Sequence, residues 1–152
     1  MIDLWPEDIK QIEGKAPVTI LREQASLLGR KTMNIVEAKV RSVRVPSGPS
    51  WTDHGDFVYA FDIVAPALSD YRYGLFSMAH GVEMYPLKIK ISAEIANEVQ
   101  SKIATQVADL ALDGANILTV QSQDEFLEAL KAILNSAKAQ QIVKAILAQS
   151  TE

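Results

Sequence analysis

Five residues, PALSD (66–70), are all that separate two β-patterned segments, FVYAFDIVA (57–65) and YRYGLFSMA (71–79). A parallel crossover needs roughly a dozen residues or more, so a link this short forces the two segments to pair antiparallel. The neighbouring segments obey the same constraint. Within residues 32–45, Val36, Ala38 and Val40 alternate with Glu37, Lys39 and Arg41, and in YPLKIKIS (85–92) Leu87, Ile89 and Ile91 alternate with Lys88 and Lys90. A period of two places one set on a dry face and the other on a wet face. The expectation is a four-stranded antiparallel meander through the middle of the chain.

Setting residue 65 opposite 71 carries residue 56 opposite 80. The large side chains of the third strand change phase, however. Tyr71 and Tyr73 share one register, and Phe76, Met78 and His80 share the other, with Gly74 at the switch. A bulge there would return all five to one face.

Helical patterns flank the strands. Pro6 leads a short helical turn, and Pro17 opens a helix that should stop near Gly29, with Val18, Leu21, Ala25 and Leu28 along one face. Ser92 is placed to cap a helix running towards Leu112 on a stripe of Ile95, Val99, Ile103, Val107 and Leu110, with Asp113-Gly114 ending it. NILTV (116–120) reads as a short strand, and Ser122 with Glu125 forms a capping-box pattern before FLEALKAIL. The tetrapeptide KAIL recurs at 131–134 and 144–147. Thirteen residues at 100° each would set the copies about 140° apart on one helix, so Asn135-Ser136 should break it into two. The expected class is α+β: an N-terminal helix, the four-stranded sheet, and a C-terminal helical half packed on one sheet face, in a single domain of residues 1–152.

The chain has no cysteine, which excludes disulfide scaffolds, thiol catalysis and cysteine-ligated metal centres. Fifteen Lys and Arg against nineteen Asp and Glu give a net charge of −4, which opposes broad nucleic-acid binding. No Walker loop, GxGxxG or GxSxG motif occurs, so no cofactor is expected. MIDLWPEDIK is not a basic-flanked apolar leader, and no apolar run approaches the roughly 20 residues of a membrane span. The expected compartment is the cytoplasm.

Three places can carry function. At one sheet end, strand pairing gathers Asp53, His54 and Asp56 near His80 and Glu83. His54, Asp56, His80 and Glu83 are the ligand types for a divalent metal or for proton exchange, although neither histidine sits in an HExxH spacing. The alternative is an ordinary polar loop end. The loop from Pro46 to Gly55 exceeds hairpin length and carries Trp51 beside Asp53 and His54. Trp51 either anchors a partner or folds back to seal the core edge. Lys39, Arg41, Lys88 and Lys90 form a basic patch on the wet face, countered by Glu37 and Asp62, which either attracts an acidic partner or is simply solvated.

Small size, mild acidity, the aromatic-bearing loop and the lack of cofactor motifs suggest a non-enzymatic bacterial protein-binding module. Its partner would be a toxin that it neutralises, as immunity proteins and antitoxins do, or a secreted effector that it chaperones. Homo-oligomerisation through the C-terminal helices is compatible with this. The alternative is a small metal-dependent hydrolase or ligand-binding domain built on the His/Asp cluster.

Overall fold

The computed structural model describes residues 1–12, 14–43, 51–52, 56–103, 111–112 and 116–150, with Ile103, Ala111 and Leu112 described by backbone alone. Elements follow one another as α1 (Pro17–Lys31), β1 (Glu37–Val43), β2 (Phe57–Ala65), a 3-10 turn (Pro66–Leu68), β3 (Tyr71–His80), β4 (Leu87–Lys90), α2 (Ala93–Ile103), β5 (Ala111–Leu112), β6 (Ile117–Val120), α3 (Gln123–Leu134) and α4 (Ala137–Ser150). The sheet order is β1-β2-β3-β4-β6-β5, and every neighbouring pair is antiparallel. The expected meander is its first four members. NILTV extends it as β6, and the two-residue β5 lies outermost, so the sheet has six strands rather than four.

Helix α1 does not stop at Gly29. That residue is buried within the helix, and the chain turns instead through Met33 and Asn34, with φ of 51° and 62°. Thr32 Oγ1 accepts the Val36 N–H (3.1 Å) and donates its one proton to the carbonyl of Leu28 (3.0 Å) or of Val36 (2.7 Å), tying the helix end to the start of β1. Helix α2 begins as expected, its Ile95 N–H meeting Ser92 Oγ at 3.3 Å. It does not reach Leu112, which is already in β5. Val107 and Leu110 of the expected stripe, with Asp113-Gly114, lie outside the described residues.

Ser122 Oγ accepts the Glu125 N–H at 3.2 Å, but the Glu125 carboxylate reaches the N–H of Gln121, one residue earlier than in the standard capping box. The helix ends at Leu134, and the buried Ser136 starts α4 by accepting the Ala139 N–H at 3.2 Å. Ile133 and Ile146, the equivalent residues of the two KAIL copies, both enter the core, each from its own helix. The Glu98 carboxylate on α2 accepts the Ala137 N–H with both oxygens (3.0 and 2.8 Å), fastening the N-terminus of α4. That backbone hydrogen bond, aided by Lys102, holds the Glu98 carboxyl below its ordinary range.

One core joins all four helices to one side of the sheet: Ile20 and Leu21 of α1, Ile95 and Val99 of α2, Phe126 and Ile133 of α3, and Ile146 of α4 meet Phe61, Ile63, Phe76, Met78, Ile89 and Leu118. Opposed residues in antiparallel strands share a face, so the register assigns every other side chain. Ala65 faces Tyr71 as expected, but a bulge at Leu75 shifts the ladder: Asp62 pairs with Gly74, Phe61 with Phe76, and Phe57, not Asp56, with His80. The shift puts Tyr71, Tyr73, Phe76, Met78 and His80 on one face, as the phase change required. Gly74 itself stays in the ladder with no positive φ, so the bulge belongs to its neighbour.

Candidate functional site

The reverse face of the sheet follows from the same register. Row by row across β1, β2, β3 and β4 it carries Glu37, Val64 and Arg72; then Lys39, Asp62 and Gly74; then Arg41, Ala60, Ser77 and Lys90; then Val43, Val58, Ala79 and Lys88. Ile117 and Thr119 of β6 continue the last two rows. Val58, Ala60, Val64, Ala79 and Ile117 are buried, yet none belongs to the core that the helices share. Their cross-strand neighbours include Arg41, Arg72, Lys88 and Lys90, whose aliphatic stems can cover small side chains while the charged heads stay in water. This is why β2, alone among the longer strands, is almost continuously apolar.

Lys39, Arg41, Arg72 and Lys90 are exposed and Lys88 is half-buried. The four expected cations are therefore on one face, and Arg72 is a fifth that sequence reasoning passed over. The signal was present, because Arg72 lies out of phase with Tyr71 and Tyr73, which belong to the core side. Arg41 and Lys90 sit at the two ends of one row, three strand spacings or roughly 14 Å apart, with Ala60 and Ser77 between them.

Asp62 lies at the centre of this face, 1% exposed. Its Oδ2 accepts from Arg41 Nε at 3.2 Å and from Arg72 Nη1 at 2.9 Å. One carboxylate thus orders two guanidiniums from the strands on either side and leaves the cluster with a net positive charge. Counting Glu37, the face carries five cations and two acids, or +3, on a chain whose total is −4. The charges of the described residues sum to zero, so the described remainder carries −3, and positive charge is in excess on the one sheet face away from the helices.

The sheet end near His80 is the second place of interest. His80 is 7% exposed and lies between the rings of Phe57 (centroids 5.8 Å apart) and Tyr59 (6.1 Å). Its Nδ1 is 2.8 Å from the Gly81 carbonyl oxygen. A carbonyl only accepts, so Nδ1 carries the proton and Nε2 is left without a partner. Tyr85 Oη is likewise buried and unpartnered, and burial raises its pKa above the ordinary value. Both residues line a cleft of about 330 Å³ together with Asp56, Glu83 and Lys88.

Asp56, His80 and Glu83 line one cleft, although the ladder sets Phe57 rather than Asp56 opposite His80. Asp53 and His54 lie outside the described residues. Among the described residues no three His, Asp or Glu side chains stand close enough to hold a metal ion. Trp51 is half-buried. No described helix is long and apolar enough to cross a membrane. No family model, curated protein or solved structure matches this chain.

Proposed function

We propose that this chain is a non-enzymatic protein-binding module that takes an acidic protein on its basic sheet face. The observation that carries the reading is charge segregation: +3 gathered on one sheet face, against −3 over the rest of the described residues. Such a field orients and speeds the approach of an acidic partner, and the excess negative charge elsewhere repels one that arrives wrongly. The same excess disfavours nucleic acid, whose backbone presents a long run of negative charge rather than a patch. An acidic toxin that the chain neutralises, or an acidic effector that it chaperones, is the class of partner that fits.

The test compares capture by the wild type with capture by Lys39→Glu/Lys88→Glu/Lys90→Glu, with Arg22→Glu/Arg30→Glu/Lys144→Glu on the helices as the charge-matched control. The expected result is a protein retained by the wild type and the control, lost by the sheet-face variant and eluted by salt, with the thermal midpoint of the sheet-face variant preserved. Identical capture by all three, or nucleic acid as the retained species, refutes the reading.

A second reading has its own observation. His80 and Tyr85 both line one cleft, and their buried Nε2 and Oη have no partner, leaving an acceptor and a donor that a small ligand entering the cleft could reach by displacing their cover. Zinc titration followed by the imidazole resonances of His80 tests its metal-binding form with His54, Asp56 and Glu83. Unmoved resonances at saturating zinc refute that form.

A further inference from the structure

Residues 1–12 form an arm with its apolar side chains in solvent: Ile2, Leu4, Trp5, Ile9 and Ile12 are 84, 89, 72, 56 and 82% exposed. Five large apolar side chains in so short a stretch are more than isolated surface hydrophobics and call for a cover. The arm is also acidic, with Asp3, Glu7 and Asp8 against Lys10. A turn starts at Pro6, whose carbonyl accepts the Ile9 N–H at 3.4 Å, and Asp3 Oδ1 accepts the Trp5 N–H at 3.0 Å. Trp5, Ile9 and Ile12, at i, i+4 and i+7, fall on one side of a helix continued from that turn.

On the body, a groove of about 420 Å³ runs between the C-terminal halves of α1 and α3, floored by Phe61 and Leu75 of the sheet. Its lips are Leu27 and Leu127, 40 and 41% exposed, and its charged lining residues are Lys31 and Lys131, with no acid. Along α1 the groove extends from Gln24 to Lys31, roughly 10 Å, which is also the rise from Trp5 to Ile12 in a helix. An apolar, acidic arm and an apolar, basic groove therefore occur on the same chain, and the groove matches the length that Trp5 to Ile12 would span as a helix.

The chain is held to the body from Gly14 onward. The Lys15 N–H donates to Gln123 Oε1 at 2.9 Å, Lys15 Nζ pairs with Glu23 at 2.9 Å, and Gly14 turns the chain with φ of 77°. On that path the arm's side chains stay in solvent and its own groove stays empty of them. We propose that the arm of one copy seats in the groove of a second, Trp5 and Ile9 between Leu27 and Leu127, with Glu7 and Asp8 facing Lys31 and Lys131. Reciprocal exchange closes a two-fold dimer, so both arms and both grooves are satisfied at once. This assembly uses the helical side of the molecule and leaves the basic sheet face open to solvent.

Light scattering on the full chain over a wide concentration range tests it. The expected result is a dimer that dissociates on dilution, and that Trp5→Ala/Ile9→Ala weakens by roughly 100-fold or more, since two large apolar side chains lose their burial. Leu127→Glu, placed at an exposed lip, should do the same without unfolding the chain. Mixing those two variants should restore association, because one retains a sound groove and the other a sound arm. A monomer at all concentrations, a dimer indifferent to the arm variant, or no rescue on mixing overturns the proposal. A monomeric mass with Trp5 emission blue-shifted in a Trp51→Phe background also overturns it, because the arm would then lie on its own groove.

Discussion

Asp62→Asn tests whether the buried carboxylate organises the basic face. The substitution keeps the shape of the side chain and removes its charge, so both arginine contacts persist only as neutral-acceptor hydrogen bonds. The guanidinium donors stay charged, so each contact loses only the charge on its acceptor, about 1 kcal/mol of a bond that contributes about 1.5–3 kcal/mol. The guanidiniums are 53 and 44% exposed, and water screens them. That discount leaves a total loss of about 1–2 kcal/mol. In a chain of this length 1 kcal/mol moves the thermal midpoint by about 2–4 °C, so the variant should melt about 4 °C lower. Urea unfolding at low and at molar salt provides the assay, and the gap should narrow at high salt because the arginine heads face solvent. The face meanwhile gains one unit of positive charge, so association with an acidic partner should become faster while stability falls. Wild-type stability of the Asp62→Asn variant at low salt would refute the account of Asp62 as the organiser of Arg41 and Arg72.

Four further outcomes follow from the geometry. Glu98 has a folded pKa below its ordinary 4.5, so its stabilising contribution is complete above that value and is lost as pH falls through the folded pKa. Glu98→Gln should flatten that acid limb in circular-dichroism titrations, and an unchanged limb would show that Glu98 does not hold α4. Tyr85 has a raised pKa, so stability should fall as pH climbs above 10 towards its folded value, and Tyr85→Phe should abolish that loss in alkaline unfolding curves. Ser136→Ala removes the buried cap of α4 and should cost about 1 kcal/mol by urea unfolding. Gly74→Ala should change stability by less than about 1 kcal/mol, because the added Cβ would meet Asp62 Oδ1 at an ordinary 3.5 Å and the backbone there is extended, and a large loss would show that the bulge depends on glycine.

Short-range chemistry accounts for how much of the fold could be read beforehand. The capped starts of α2 and α3, the break at Asn135-Ser136 and the antiparallel pairing across PALSD all depend on residues within a few positions of one another. Two of the readings that failed concern ends. Gly29 resembles a helix stop, but Thr32 and the left-handed Met33 and Asn34 turn the chain later. The helix drawn towards Leu112 gave way to a strand, because Leu112 pairs with Leu118 of β6, a partner that local periodicity does not reveal.

The candidate site divides along the same line. Alternation alone determined that Lys39, Arg41, Lys88 and Lys90 point away from the apolar set on their own strands, because a pleated backbone leaves successive side chains no other choice. Only the tertiary structure decided that these strands lie in register on one sheet, that Asp62 is buried beneath two arginines, and that His80 and Tyr85 share a cleft. Those arrangements depend on a one-residue bulge at Leu75 and on where the helices cover the sheet, and both are settled by packing energy summed over the whole core rather than by any local stretch of chain.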